Sequence, residues 1–149
     1  MEGLKSAAQA SHGHAFEDAL RVLRQLLSAC EAPPLAEAVA AGAVDVLVRA
    51  LQPGVPPGAA LEAAWCLTNI AAGDSAEAEA AAAAAPLLIP RLDAPGGDVR
   101  LAEQCAWALG NLAGDSGELR ERLAANGAVV PLAHKMLEGR GSIATTSAW

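Results

Sequence analysis

Three tryptophans, Trp65, Trp107 and Trp149, stand 42 residues apart in this 149-residue chain. The first two open related strings, Trp-Cys-Leu-Thr-Asn-Ile-Ala and Trp-Ala-Leu-Gly-Asn-Leu-Ala, which place Asn69 and Asn111 four residues after each indole. A fixed period of this size is typical of stacked repeats, in which each small unit buries its apolar face against the next one. The spacing therefore predicts a solenoid.

Helical phase places the tryptophans away from the apolar side of their helices. At about 100° per residue, Gln104 and Asn111 fall beside Trp107, whereas Leu109 falls on the opposite side. The helix around Trp65 divides in the same way. An indole that lies outside the apolar face in each unit of a stack predicts a binding surface. The asparagines favour the same interpretation, because asparagine is a poor helix former.

Prolines and glycines divide the chain into cycles of three helices. Pro33 precedes a short helix, Gly42 marks its end, and a Pro/Gly-rich stretch at 53–58 precedes the first tryptophan helix. We therefore predict an all-α fold that ends in mid-helix at Trp149, as a fragment or a truncated product would. The predicted parts are a flexible tail at 1–14, a partial repeat at 15–30, repeats at 34–72 and 75–113, and a truncated repeat at 116–149.

Two positions depart from the repeat. In the first predicted helix, Arg21 takes the place that tryptophan has in later cycles, so the tryptophan row begins one repeat later. Between the first two helices of each cycle the series is Gly42, Ala85 and Gly127, in which alanine is the exception. The predicted inward residues of the first helix are Phe16, Ala19, Leu20, Leu23, Leu26 and Leu27.

Composition narrows the class of partner. Hydrophobic residues make up 53% of the chain, which is enough for a sizeable core, and the net charge is −7. The negative charge disfavours nucleic acid and anionic membranes as partners and favours a basic one. The longest apolar stretch, at 80–89, is about half of the roughly 20 residues that a membrane-spanning helix needs. No signal peptide is recognised either.

No group of residues indicates catalysis or metal binding. Cys30, Cys66 and Cys105 are odd in number and lack metal-ligand spacing, so we expect reduced thiols in the core. His12 and His14 lack a third ligand, and no nucleophile stands beside a histidine. We therefore expect no enzyme activity, no cofactor and no bound metal.

Two strings carry a resemblance to a known family. They are Leu61-Glu-Ala-Ala-Trp-Cys-Leu-Thr-Asn-Ile-Ala-Ala-Gly73 and Glu103-Gln-Cys-Ala-Trp-Ala-Leu-Gly-Asn-Leu-Ala-Gly-Asp-Ser116. The array over roughly 15–149 resembles the armadillo repeats of the importin α (karyopherin α) family, which are adaptors for nuclear localisation signals. The resemblance implies an armadillo-repeat α-solenoid, a right-handed superhelix of three-helix repeats. It also matches the chain to the family's first to fourth repeats, which contain the major signal-binding site.

The resemblance implies a peptide-binding site as well. In the family an extended lysine-rich peptide runs along the row, with lysine stems between indoles and its backbone bonded by asparagines. An indole offers a cation–π attraction of about 0.5–2 kcal/mol per well-placed cation, and a carboxamide offers both a donor and an acceptor. The matching residues in this chain are Trp65, Asn69, Gly73, Gln104, Trp107, Asn111, Asp115 and Trp149.

Individual roles follow from the resemblance, and structural alternatives stand beside them. Asp115 matches the acidic residue that pairs with the deepest lysine, and Gly73 matches a glycine whose carbonyl receives the same ammonium. Ala78 stands where the family has a threonine, so one hydrogen bond of about 1 kcal/mol is missing. Alternatively, Asp115 is only a helix cap, a neighbouring subunit buries the tryptophans, and Glu62 and Glu103 are solvated charges.

The leading hypothesis is therefore a nuclear localisation signal-binding adaptor that takes lysine-rich cargo peptides into the nucleus and works in cytoplasm and nucleus. The family binds importin β through an arginine-rich segment, whereas residues 1–14 contain only Lys5 as a positive side chain. Binding of importin β does not follow from this sequence. The alternative is an armadillo interaction scaffold or a degenerate importin α fragment without transport activity, neither of which would prefer lysine-rich peptides.

Overall fold

The computed structural model describes residues 2–28 and 31–138, and within them the side chains of residues 13–28 and 31–137. These ranges are mostly helical and contain no strand. A short, a middle and a long helix alternate along the chain, which confirms the predicted all-α stack of three-helix units. The helices are α1 (Glu2–Ser28), α2 (Leu35–Ala40), α3 (Ala43–Ala50), α4 (Pro57–Ala71), α5 (Ser75–Ala81), α6 (Ala85–Leu92), α7 (Val99–Asp115), α8 (Gly117–Ala125) and α9 (Val129–Glu138), with a 3-10 turn at Ala82–Ala84.

Local sequence explains where several helices begin. Pro57 is in the first turn of α4, where proline costs little because its missing N–H has no helical acceptor. Asp98 caps α7 by accepting a hydrogen bond of 2.8 Å from the Arg100 N–H. Ser116 caps α8 by accepting one of 3.2 Å from the Leu119 N–H. Side-chain caps of this kind satisfy N–H groups that have no partner within the helix.

The turn between short and middle helix differs in the second cycle. Gly42 and Gly127 both have a φ of 82°, a left-handed conformation that glycine adopts without a steric penalty. Ala85 has a φ of −52° and lies in continuing helical backbone. The 3-10 turn thus joins α5 to α6 with little interruption. The departure at Ala85 therefore changes the path of the backbone between these two helices.

The long helices α1, α4 and α7 lie side by side in that order, and the middle helices pack against them. Small side chains on α4 let its neighbours approach closely, since Ala59, Ala63 and Ala64 are fully buried. Each fully buried leucine contributes about 1.5–3 kcal/mol of hydrophobic stabilisation. One continuous core results, and its fully buried leucines are Leu47, Leu51, Leu67, Leu88, Leu92, Leu109, Leu112 and Leu119.

Helix α1 begins at Glu2, whereas the sequence predicted a flexible tail over 1–14. The stretch lacks an apolar period, but it contains no proline and residues 4, 5 and 7–10 are Leu, Lys, Ala, Ala, Gln and Ala, all good helix formers. Its glycines, Gly3 and Gly13, each cost only about 1 kcal/mol in a helix. Intrinsic helix propensity accounts for the helix where an apolar period is lacking. The first layer therefore starts at Glu2 and not at Ala15.

The buried side of α1 is narrower than predicted. Leu20 and Leu27 are buried and Leu23 packs against the core, but Ala19 and Leu26 are exposed. The main contact of α1 is with α4. Because one neighbour covers only one side of a helix, a narrow apolar stripe is sufficient here.

The last described layer also has an uncovered side. Helix α9 packs on α6, yet Val129, Val130, Met136 and Leu137 are exposed. No residue of the described ranges covers that outer side, which explains the exposure of apolar side chains at this face.

Candidate peptide-binding site

Trp65 on α4 and Trp107 on α7 lie on the exposed side of adjacent long helices. Their exposed fractions are 39% and 52%, whereas Leu67 and Leu109, two residues further along each helix, are fully buried. Helical phase predicted this division. The two indoles are thus available to a ligand, while their role in binding remains a prediction.

Hydrogen bonds join α4 to α7 beside the indoles. Thr68 Oγ1 lies 3.0 Å from the Ala64 carbonyl oxygen of its own helix, 3.1 Å from the Gln104 carbonyl oxygen and 3.3 Å from Gln104 Oε1. Its hydroxyl has one proton, so it donates to one of these acceptors at a time. Asn111 Nδ2 donates to the Thr68 carbonyl oxygen over 3.0 Å. Because Asn69 follows Thr68, these bonds bring the predicted residues of both helices together. We name them the Trp/Asn surface: Trp65, Asn69, Gln104, Trp107 and Asn111.

The side chains of Asn69 and Asn111 have fewer hydrogen-bonding groups that a ligand can reach than the sequence suggested. Asn111 Nδ2 already donates one hydrogen to Thr68, which leaves Asn111 one further N–H and its carbonyl oxygen. Asn69 Nδ2 is buried and has no hydrogen-bond partner among the described residues. An unpaired buried donor costs about 1–3 kcal/mol, so such groups call for a specific explanation, such as a bound water or ligand.

Gly73 follows α4 in a crowded position. Its N–H donates to the Ile70 carbonyl oxygen over 3.0 Å. A Cβ atom on Gly73 would lie 3.0 Å from Leu35 Cδ1 and 3.1 Å from Glu77 Cβ. Packing alone therefore favours glycine here, whatever its carbonyl binds. Glu77 Oε2 is buried and without a partner in the described part of the chain.

Asp115 is the last residue of α7 and does not cap a helix. Ser116 is the cap of α8, and Asp115 Oδ1 instead accepts a hydrogen bond of 3.0 Å from Ser75 Oγ at the start of α5. The capping alternative is therefore wrong for Asp115, whose carboxylate is half-buried. Asp74 occupies the cap position of α5, but its side chain accepts no capping hydrogen bond.

A charged cluster from α1 covers part of Trp65. The guanidinium carbon of Arg24 lies 4.4 Å from the centre of the Trp65 ring, within the range of a cation–π interaction. Arg24 Nε donates to Glu62 Oε2 over 2.6 Å, and Arg21 Nε donates to Glu62 Oε1 over 3.2 Å. Glu62 is therefore a buried and paired carboxylate, which contradicts its interpretation as a solvated charge.

Arg21 extends this cluster along α1. It also pairs with Glu17 over 2.7 Å and with Asp18 over 2.6 Å. The hydrogen bond to Glu62 is the main cause that raises the pKa of Arg21 above its ordinary value. Helical phase places Arg21 in line with the tryptophans, whereas no pattern in the sequence singles out Arg24, which is three residues further on the same side of the helix.

The remaining predicted residues have different outcomes. Trp149 and Cys30 lie outside the described residues. Ala78 is fully buried and contributes no hydroxyl group. Cys66 and Cys105 are free and buried, and burial raises the pKa of both thiols to about 12. The prediction of core thiols is confirmed for these two.

A separate cleft of about 850 Å³ lies between the loop at 93–97 and α9. Asp93 lies there, 3.1 Å from His134 Nδ1 and 3.4 Å from Lys135 Nζ. None of the residues of the Trp/Asn surface lines this cleft. Within residues 2–28 and 31–138 we find no set of three potential metal ligands. In the same ranges, no helix combines the length and the apolar character needed to span a bilayer.

Comparison with known proteins identifies the repeat. Residues 32–72 match the family described as Armadillo/beta-catenin-like repeat. Importin subunit alpha-9 of Arabidopsis thaliana is 47% identical over 100% of this chain and 29% of its own length. Importin subunit alpha-2 of Oryza sativa subsp. japonica is 59% identical over 89% of this chain and 25% of its own length. The chain thus spans 25–29% of these curated relatives.

Solved structures agree with these relatives. A designed armadillo repeat protein in complex with the peptide (KR)4 has a TM-score of 0.79 and 26% identity, over 89% of this chain and 54% of that one. A second designed armadillo repeat protein has a TM-score of 0.80 at 23% identity, over 88% of this chain and 54% of that one, which shows likeness of fold alone. The fold is an armadillo-repeat α-solenoid, and over most of its length the chain is similar to importin α (karyopherin α) subunits.

Proposed function

We propose that this chain acts in a nuclear import adaptor of the importin α type and holds lysine-rich cargo peptides on the Trp/Asn surface. The observation that carries the proposal is the exposure of Trp65 and Trp107 on adjacent helices that are joined through Thr68. The family implies that such an adaptor works in cytoplasm and nucleus. Its role is binding, without a chemical step.

The chemistry of the surface suits a cationic peptide. An exposed indole attracts an ammonium or guanidinium group by about 0.5–2 kcal/mol and packs against its aliphatic stem. Asp115, at the end of α7, supplies a carboxylate for an ammonium group, and Asn111 retains one N–H and its carbonyl oxygen for a peptide backbone. The net charge of −7 adds attraction over a longer range.

The similar proteins, both relatives and a solved structure, support the same partner. The relatives that match most of the chain are named importin α subunits. The designed armadillo repeat protein with the similar fold is in complex with (KR)4, a peptide made of basic residues only. A basic peptide along the Trp/Asn surface is therefore the partner we assign.

Calorimetry with short peptides tests the proposal. A Lys-Lys-Lys-Arg-Lys peptide should bind, and the same peptide with glutamates in place of the basic residues should not. Trp107→Ala and Asn111→Ala should each weaken binding at least about tenfold, which corresponds to about 1.4 kcal/mol. Val99→Ala is the matched control, because Val99 is an exposed apolar residue of the same helix outside the Trp/Asn surface.

The outcome separates the adaptor from a general scaffold. Preference for the basic peptide, lost in Trp107→Ala and kept in Val99→Ala, supports the proposal. Equal affinity for basic and acidic peptides would favour an interaction scaffold. Unchanged affinity in both Trp107→Ala and Asn111→Ala would refute the Trp/Asn surface as the binding site.

A further inference from the structure

The two exposed indoles are not equivalent. Trp65 has the guanidinium of Arg24 at 4.4 Å from its ring centre, whereas no such cation lies over Trp107 in the described part of the chain. Trp65 is also the less exposed of the two, at 39% against 52%. The cation–π interaction that Trp65 could offer to an incoming cation is thus already made by Arg24.

Arg24 is firmly fixed in this position. Its Nε bonds Glu62 Oε2 over 2.6 Å, and its side chain is only 18% exposed. Glu62 is held in turn by Arg21. Because a charge-assisted hydrogen bond and a cation–π contact act together, an incoming lysine would have to displace a guanidinium that is already paired.

Arg24 approaches Trp65 from the side of the first layer. It belongs to α1, which packs on α4, while Trp107 belongs to α7 on the opposite side of α4. Arg24 therefore covers Trp65 from the side of α1, and 39% of the Trp65 surface remains exposed. In α1 itself, Arg21 stands in line with the tryptophans, so a second cation lies at this end of the row.

We propose that Arg24 is a specificity-determining residue that ends the row of cation sites at Trp65. This inference rests on the proposed function, since it concerns which positions of a bound basic peptide are recognised. Lysines that extend beyond Trp65 toward α1 find a face occupied by Arg24 and add no affinity. Replacing Arg24 by a neutral residue of similar length opens one further cation site.

Calorimetry with extended peptides tests the assignment. The core peptide Lys-Lys-Lys-Arg-Lys is lengthened at either end by two lysines or, for comparison, by two alanines. At the end that lies over α1, the lysine and alanine extensions should bind the unsubstituted chain equally, within about twofold. In Arg24→Met the lysine extension at that end should bind about 2- to 30-fold more tightly, which is about 0.5–2 kcal/mol at 1.4 kcal/mol per tenfold.

Two variants serve as controls. Arg21→Met, like Arg24→Met, removes a guanidinium that pairs with Glu62, but it uncovers no indole. It should therefore show no gain specific to the lysine extension. Arg24→Lys keeps a cation over the ring and should behave like the unsubstituted chain. Equal gains in Arg21→Met and Arg24→Met, or no gain in Arg24→Met, would overturn the inference.

A measurement without substitution guards against a variant that does not fold. In the unsubstituted chain, the NMR signal of the Arg24 Nε–H that is bonded to Glu62 should stay in place when the lysine-extended peptide saturates the site. Loss of that signal would mean that the peptide displaces Arg24, which contradicts the inference. Failure of the core peptide itself to bind would refute the proposed function and also the inference about Arg24, which rests on it.

Discussion

Replacing Glu62 by glutamine is expected to weaken the contact between the first two layers of the stack. Glu62 on α4 pairs with Arg24 and Arg21 on α1, and its side chain is only 11% exposed. Glutamine keeps the shape of the side chain but removes the charge that both guanidinium groups neutralise. Removing one partner of a buried pair is costly because the other charge remains away from water.

The two pairs contribute unequally to the expected loss. Arg24 is 18% exposed and its bond to Glu62 is 2.6 Å long, so a contribution of about 1.5–3 kcal/mol, typical of a hydrogen bond to a charged group, applies. Arg21 is 40% exposed, and solvent screening makes its pair with Glu62 the weaker of the two. Since the glutamine oxygen still accepts one hydrogen bond, we expect Glu62→Gln to lower the free energy of unfolding by about 2 kcal/mol.

Urea denaturation followed by circular dichroism measures this loss. Glu79→Gln is the matched control, because Glu79 also pairs with an arginine, Arg122, across two layers, but their side chains are 57% and 44% exposed. The control should lose less than Glu62→Gln, because solvent screens an exposed ion pair, and the dependence on urea concentration should remain the same in both variants. Losses that agree within about 0.5 kcal/mol would refute the reasoning that burial makes the Glu62 pair strong.

Three further predictions concern single residues. Trp107→Ala should change the free energy of unfolding by less than about 1 kcal/mol because the indole is half exposed, whereas Leu109→Ala should lower it by about 2–5 kcal/mol; equal losses in urea denaturation would contradict the burial of Leu109. Ser116→Ala removes the cap of α8 and should lower the free energy of unfolding by about 1 kcal/mol. An unchanged free energy of unfolding would contradict the capping role. Cys66 and Cys105 should resist iodoacetamide in the folded chain and react after unfolding, which peptide mass spectrometry resolves; labelling of the folded chain would contradict their burial. Because folding raises the pKa of these thiols from 9.0 to about 12, stability should fall as the pH rises from 9 to 12, and less steeply in Cys105→Ala.

Periodicity in the sequence was sufficient for the architecture and for the outward direction of the indoles. A period of 42 residues fixes the unit, and helical phase within each unit decides whether Trp65 and Trp107 lie inside or outside. Both properties are local or repeat at one interval, so they can be derived without knowing how the layers turn relative to one another. Gly42 and Gly127 marked the ends of α2 and α8 for the same reason, whereas α5 has no such glycine.

The charged cluster could not be derived in this way. Arg24 and Glu62 lie in different layers, and their contact depends on the rotation of α1 against α4, which no local pattern fixes. Leu26 was predicted to be buried but is exposed, for the same reason. A helix at the end of a stack has a single main neighbour, and that neighbour determines how wide its buried side is. Hydrogen bonds such as that of Asn111 to Thr68 likewise depend on the distance between two layers.

The most direct test of the central claim is an NMR titration of the isotopically labelled chain with the Lys-Lys-Lys-Arg-Lys peptide. We predict that the indole N–H signals of Trp65 and Trp107 and the amide side-chain signals of Asn111 shift together and saturate at one peptide per chain. Signals of the cleft between the loop at 93–97 and α9, such as the His134 ring, should stay in place. Shifts confined to that cleft, with both indole signals unchanged, would contradict the claim that the Trp/Asn surface receives a basic peptide.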